Sequence, residues 1–183
     1  MTSPAGWTPP SALRSAPHYL FIETTTACNL RCRQCHMWMS EEPPGTLSTE
    51  EKVALVDQFG SWAGRGVVVI TGGEPFLKTA EVMAISRSAR SYGLSVAVNT
   101  NGTCIPESLF DDLLTAGPHY LVLSLDAPDA ATHDWIRGRV GTYDMVLDTL
   151  RVLLAARKSR HPASDVRVLV NGILCAETLP KAL

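Results

Sequence analysis

Three cysteines fall on one short stretch, Thr26-Ala27-Cys28-Asn29-Leu30-Arg31-Cys32-Arg33-Gln34-Cys35, with the spacing C-x3-C-x2-C. Each of three thiolates on such a loop can bind one iron of a [4Fe–4S] cubane, leaving the fourth iron without a protein ligand and open to chemistry. The same atoms admit a second metal. With His36 next in the chain, three Cys and one His make a closed tetrahedral zinc set. Against zinc, His36 is adjacent to Cys35, whereas zinc ligands usually come as separated pairs that let the backbone wrap the ion. Spacing alone leaves both metals open. The odd total of five cysteines suits a metal site in a reducing compartment better than a disulfide framework, and Cys104 and Cys175 read as buried thiols.

Three further groups of polar and glycine residues stand just after apolar runs, and a fourth lies a few residues beyond the last of them. Gly72-Gly73-Glu74-Pro75 follows Val67–Thr71; as a plain turn it needs no other role, but glycines there also let backbone approach a ligand closely. Asn99-Thr100-Asn101-Gly102 and Ser124-Leu125-Asp126 follow the next two runs, and each has an ordinary reading as a turn or a helix cap. Within His133-Asp134-Trp135-Ile136-Arg137-Gly138, the planar fork of Arg137 matches a carboxylate bidentately, with a solvated surface ion pair as the equal alternative. His133 reads as a loop or helix-start residue rather than a catalytic base.

The elements that must position these residues alternate between two periods. Short β-rich runs at 19–25, 67–71, 95–99, 120–125 and 166–174 are mostly continuous in apolar residues, as in a parallel sheet buried on both faces. Longer amphipathic segments at 48–62, 79–92, 106–116 and 142–157 predict helices between them, and another begins near Glu177. Ser48 or Thr49 is placed to cap the first helix and Gly93 to stop the second. An α/β fold follows, either a doubly wound open sheet or a partial (β/α) TIM-like barrel, and both put ligands at the carboxyl ends of the strands.

Bulk properties narrow the class. The chain has 183 residues, 45% of them hydrophobic and 19% charged, enough for one domain with a real core. A formal net charge of −2 supplies no basic field for a phosphate backbone, so nucleic acid is not an expected partner. No run approaches the roughly 18 apolar residues of a bilayer span, and the charged-then-apolar order of a secretory signal is missing, which predicts a cytoplasmic chain without membrane contact. Residues 1–17, rich in Pro, Ser and Ala, are expected to form a disordered or loosely docked tail ahead of a core domain at 18–183.

Taken together and in order, C-x3-C-x2-C after the first strand, GGEP after the second, TNG after the third and S-L-D after the fourth resemble the radical S-adenosylmethionine (SAM) superfamily, over roughly residues 19–176. The string Cys-Arg-Gln-Cys-His-Met-Trp, followed by Leu47-Ser48-Thr49-Glu50-Glu51, is most similar to the branch of molybdopterin-precursor cyclases and peptide-modifying SPASM maturases. The resemblance implies an oxygen-sensitive [4Fe–4S] cluster on Cys28, Cys32 and Cys35. SAM would lie against Gly72, Gly73, Glu74 and Pro75, which in the family bind its amino group, with Thr100 and Ser124 near its methionine or ribose and Arg137 on a carboxylate. It also implies reductive cleavage of SAM to a 5′-deoxyadenosyl radical that abstracts hydrogen from a small-molecule or peptide substrate, and an electron donor such as flavodoxin or ferredoxin.

Three departures from the family pattern stand in the sequence. Gln34 occupies the place of an aromatic residue often found before the third cysteine, and Thr178 the approximate place of an Asn after the fifth strand, so adenine recognition near Ile173 and Leu174 is an expectation only. Trp38 is expected to pack beside the cluster. Family cores resemble a six-stranded partial barrel, whereas five strands are predicted before Leu183, so the core reads as incomplete at its carboxyl end. The fifth strand is then an unpaired parallel edge, an aggregation liability unless a partner chain covers it. Under this reading the chain is either active or a truncated paralogue that keeps the cluster without turnover.

Overall fold

The structure is a computed structural model and describes residues 17–182; the expected tail lies outside the described residues except for Pro17. Five parallel strands, β1 (Tyr19–Glu23), β2 (Val67–Thr71), β3 (Ser95–Thr100), β4 (Tyr120–Ser124) and β5 (Arg167–Asn171), form one sheet in the order β1-β2-β3-β4-β5. Strictly sequential order decides between the two expected architectures. A doubly wound sheet reverses its order at a switch point, whereas a barrel adds each strand to the same side of the last. The fold is therefore an α/β partial barrel, with β1 and β5 as its edges among the described residues.

The helices are α1 (Thr49–Ala63), α2 (Thr79–Ser91), α3 (Phe110–Ala116), α4 (Ala130–Arg137), α5 (Thr142–Arg160) and the short α6 (Leu179–Ala182). Ser48 caps α1 as its sequence predicts: its hydroxyl accepts from the Glu51 amide at 3.2 Å while the Glu51 carboxylate accepts from the Ser48 amide at 2.8 Å. The expected helix at 106–116 is split into a short 3-10 turn, Glu107–Leu109, and α3. Helix α4 was not anticipated.

One core joins sheet and helices. Ile22, Val68, Ile70, Val96, Val98, Leu121 and Leu123 point alternately out of the strands into a layer that includes Val56 and Phe59 of α1, Val82 and Ile85 of α2, Leu113 of α3 and Val146 and Leu153 of α5. The opposite face is covered only in part: Tyr19 and Phe21 on β1 are 61% and 66% exposed and Asn99 on β3 is exposed, whereas Val69 is buried and Ala97 and Val122 are half-buried. The continuous apolar runs thus come from a sheet buried deeply on one face and only partly on the other.

The end of β1 has its own anchor. Lys52 of α1, almost fully buried, sits 2.7 Å from Glu81 of α2 and donates to the Thr24 carbonyl at 2.9 Å. Glu81 also accepts from the Thr49 hydroxyl at 2.7 Å. Replacing one member of such a buried pair leaves the other charge uncompensated, at a cost of about 3–5 kcal/mol. Lys52→Ala is therefore expected to lower the urea unfolding free energy by about that amount, and Lys52→Met with Glu81→Leu to recover much of it; equal loss in both would show that the pair's charges are not what matters there.

Candidate functional site

The cysteine loop leaves β1 and turns across the carboxyl ends of β2, β3 and β4. Its backbone lies directly against the turn after β2: Gly73 N–H donates to the Thr25 carbonyl at 2.6 Å and Glu74 N–H to the Ala27 carbonyl at 2.9 Å. A Cβ on Gly72, whose φ is +130°, would stand 2.4 Å from the Thr25 oxygen, and one on Gly73 would stand 2.1 Å from the Ala27 oxygen. What these two glycines admit is the chain's own loop. That is a sharper reason for the Gly-Gly pair than ligand approach alone.

Glu74 differs from its expected role. Its carboxylate was read as an acceptor facing a ligand, but the residue is fully buried and turned inward. It accepts from the Thr100 hydroxyl at 2.7 Å, the Asn101 amide at 2.8 Å and the Phe76 amide at 3.0 Å. Burial pushes its carboxyl above the ordinary range, while the Asn101, Phe76 and Thr100 donors pull it back. Pro75 is buried beside it at the start of a 3-10 turn, Pro75–Lys78. Of the GGEP segment, only Gly72 and Gly73 line the cavity described next.

A cavity of about 190 Å³ opens where the strand ends meet the cysteine loop, and Cys28, Cys32, Cys35, Gly72, Gly73, Thr100, Ser124 and Arg137 all line it, with Trp38 and Gln34. Every sulfur of the trio faces an N–H donor. Cys28 Sγ accepts from the Leu30 amide at 3.4 Å and has Asn101 Nδ2 at 3.9 Å; Cys35 Sγ accepts from the Met37 amide at 3.4 Å; Cys32 Sγ has Arg137 Nη1 at 3.9 Å. Burial raises the Cys28 and Cys32 thiols above their usual range, and for Cys32 the Arg137 charge opposes that rise. Trp38 donates its ring N–H to the Cys32 carbonyl at 3.3 Å, which sets the indole against the loop. His36 does not line this cavity; it faces a separate groove on the outer side of the loop.

Thr100 reaches the cavity with its hydroxyl already engaged, donating to Glu74 and accepting from the Gly102 amide at 3.0 Å. Asn101, which sequence reasoning passed over, links the two loops: it bonds the Asn29 side chain at 2.8 Å as well as facing Cys28. Asp126 was also missed. Its carboxylate, 3% exposed, lies 2.7 Å from Arg137 Nε in a close pair that is not aligned as a hydrogen bond. Arg137, its side chain 12% exposed, is thus a partly buried ion-pair member and not a solvated surface cation, and it lines the cavity.

His133 lies inside α4, fully buried, and accepts the Asp126 backbone N–H on Nδ1 at 3.1 Å. Thr178 directs its hydroxyl to the Ile173 carbonyl at 2.7 Å and accepts from the Cys175 amide at 2.9 Å, closing its own turn instead of facing a ligand. Cys104 is half-buried, and desolvation pushes its thiol up to about 12.

The profile of the Radical SAM superfamily matches residues 22–174. The chain belongs to the radical SAM superfamily. Among curated relatives of this radical SAM chain, an AdoMet-dependent heme synthase of Methanosarcina barkeri is 35% identical over 152 residues, covering 82% of this chain and 42% of the relative. A probable GTP 3′,8-cyclase of Pyrococcus abyssi is 30% identical over 84% of this chain and 48% of its own length. The chain therefore spans less than half the length of these relatives. The cyclase lies on the branch to which the cysteine-loop sequence pointed; heme synthases were not among the activities anticipated. The crystal structure of Streptococcus suis SuiB bound to S-adenosylmethionine superposes with a TM-score of 0.74 over 92% of this chain and 36% of SuiB, at 17% identity, a likeness of fold. Among the described residues no helix is long and apolar enough to cross a membrane.

Two outcomes follow from the packing at this site. Gly73→Ala should displace the cysteine loop, lowering the urea midpoint by the equivalent of about 1–3 kcal/mol; an unchanged midpoint would mean the two loops do not depend on their close contact. His133, and His119 with its Nδ1 accepting from Val96 N–H at 3.1 Å, are held below the usual histidine range, by burial first and then by neighbouring Arg137 and Arg90. The unfolded chain, with histidines titrating near about 6.5, then binds more protons than the folded one as pH falls. Stability should be full above that value and decline below it, and His133→Asn should decline less steeply; a parallel decline in denaturation at each pH would contradict the assignment.

Proposed function

We propose that this chain is a radical SAM enzyme core in which Cys28, Cys32 and Cys35 hold a [4Fe–4S] cluster and the surrounding strand ends hold S-adenosylmethionine. The observation that carries the reading is the shared cavity: three thiols, each facing an N–H donor, open onto the same space as Gly72, Gly73, Ser124 and Arg137. The donor set fits the group. N–H donors favour thiolates and tune an iron–sulfur centre. His36, the fourth ligand of the zinc alternative, faces away from the cavity.

Held by Cys28, Cys32 and Cys35, the cluster would supply the electron for reductive cleavage of the sulfonium C–S bond of SAM to methionine and a 5′-deoxyadenosyl radical, the hydrogen-abstracting species. The protein's own work is placement. Asp126 holds Arg137 by its Nε, leaving the far edge of the guanidinium for the methionine carboxylate. Glu74 fixes the Thr100-Asn101 corner from beneath, so the backbone there has one position when SAM arrives. Its carboxylate supports the site from beneath through these bonds. The partly covered face of β1 and β3, with Phe21 and Asn99, lies on the side from which a small-molecule or peptide substrate would enter.

Anaerobic reconstitution tests the reading. The protein should become brown with iron and sulfide near about four each per chain, and incubation with SAM and dithionite should release 5′-deoxyadenosine. Cys32→Ala should lose the absorbance while Cys104→Ala keeps it. Stoichiometric zinc without that absorbance would overturn the cluster, and a full cluster without 5′-deoxyadenosine would leave a degenerate paralogue as the better description.

A further inference from the structure

We propose that the outer side of the cysteine loop is the docking surface for a small acidic electron-carrier protein; the proposal rests on the cluster assignment above. A groove of about 460 Å³ runs along this outer side, and Cys32, Cys35 and Trp38 line both it and the inner cavity. The two cysteines are therefore the shortest covalent route between a protein seated outside and whatever the three sulfurs hold inside.

The groove is positive although the chain carries a net charge of −2. Arg31, Arg33 and His36 line it and no carboxylate does. A neighbouring hollow shares Arg33 and Gly138 and adds Arg139. Its one carboxylate, Asp134, is already held by the Gly141 amide at 2.6 Å, the Thr142 hydroxyl at 2.7 Å and the Tyr143 amide at 2.8 Å. Sequence order does not show this patch, because α4 and the turn after it bring Trp135 and Arg139 beside a loop a hundred residues earlier: Arg33 N–H donates to the Ile136 carbonyl at 2.9 Å, and a Cβ on Gly138 would stand 2.2 Å from the Arg31 oxygen.

The arginines are held ready without being neutralised. Arg31 lies 5.1 Å from the Trp38 ring centre and donates to the Cys28 and Leu30 carbonyls; Arg33 lies 4.5 Å from the Trp135 ring centre and donates to the Trp135 carbonyl. Stacked guanidinium groups have little freedom left to lose on binding, and arginine with tryptophan is the pair most often carrying binding energy at protein interfaces. Exposed Met39, Trp135 and Val140 supply apolar contact among these charges. Complementary charge steers an acidic carrier to the loop and fixes its orientation there. In the encounter the carrier loses one electron and the cluster gains it, with no bond made or broken. A nucleic acid would also meet arginine and tryptophan, but the patch is local on a net-negative chain, with no extended basic track for a phosphate backbone.

Stopped-flow reduction of the reconstituted protein by a reduced plant-type ferredoxin tests the surface. Arg31→Glu with Arg33→Glu should slow the reduction at low salt by about tenfold or more and flatten its salt dependence. The matched control Arg87→Glu with Arg151→Glu, at exposed positions elsewhere, should keep the native rate, and dithionite should reduce all three proteins to the same extent. A reducible cluster with equal ferredoxin rates in every protein overturns the surface alone. A chain that takes up no dithionite-reducible cluster overturns the cofactor assignment and the surface with it. Salt-sensitive binding of a short single-stranded RNA at least as tight as that of ferredoxin, and lost in the Arg31/Arg33 variant, assigns the patch to nucleic acid and overturns the proposal.

Discussion

A carboxylate removed from water holds the site together. Glu74 accepts three hydrogen bonds, from Phe76, Thr100 and Asn101, and so joins the end of β2 to the end of β3 beneath the cavity. A carboxyl group in that position is tolerated because three donors face it, so that none of its buried oxygens is left without a partner. From Asn101 the linkage continues through Asn29 to the loop that carries Cys28. On the other side, Lys52 and Glu81 hold the Thr24 carbonyl where that loop begins. The amino-terminal part of the cysteine loop is thereby held by two polar anchors and its later part by the Arg33 amide, which donates to the Ile136 carbonyl at 2.9 Å, and the three sulfurs share one cavity.

Much of this was legible in the sequence, for physical reasons that differ by element. Strands announced themselves because the helix-facing positions of the inner strands β2, β3 and β4 are deeply buried, and the capping box at Ser48 and Glu51 marked the start of α1. The motifs at successive strand ends located the site because a parallel sheet brings all its carboxyl ends to one side. Strand order was not legible, since a βα alternation is shared by open sheets and barrels alike. Helix α4 was hidden because it has only eight residues and buries Thr132 and His133 beside Ile136, which blurs the apolar period.

Side-chain direction was the other blind spot. A motif names Glu74 but does not say that its carboxylate points down into the protein, and nothing in the sequence distinguishes Lys52, almost fully buried, from an ordinary surface lysine on an amphipathic helix. Arg137 stood equally well as a surface cation until Asp126 was found 2.7 Å away. For Gly72 and Gly73 the contact that requires glycine is backbone against backbone within the chain, which the motif itself does not state. In each case the missing information was a long-range contact, which local pattern cannot encode.

The division that emerges sets a rigid back against a chemically active rim. Helices and one apolar core fix the strand ends; the loops above them carry thiols on the inside and arginines on the outside. The central claim is that the three thiols leave one iron open to S-adenosylmethionine, and electron–nuclear double resonance on the reduced, reconstituted protein with SAM labelled with ¹⁵N at its amino group tests it most directly. A hyperfine coupling from that nitrogen to the cluster is the predicted result. A reduced cluster whose spectrum shows no such coupling in the presence of saturating SAM would contradict the account.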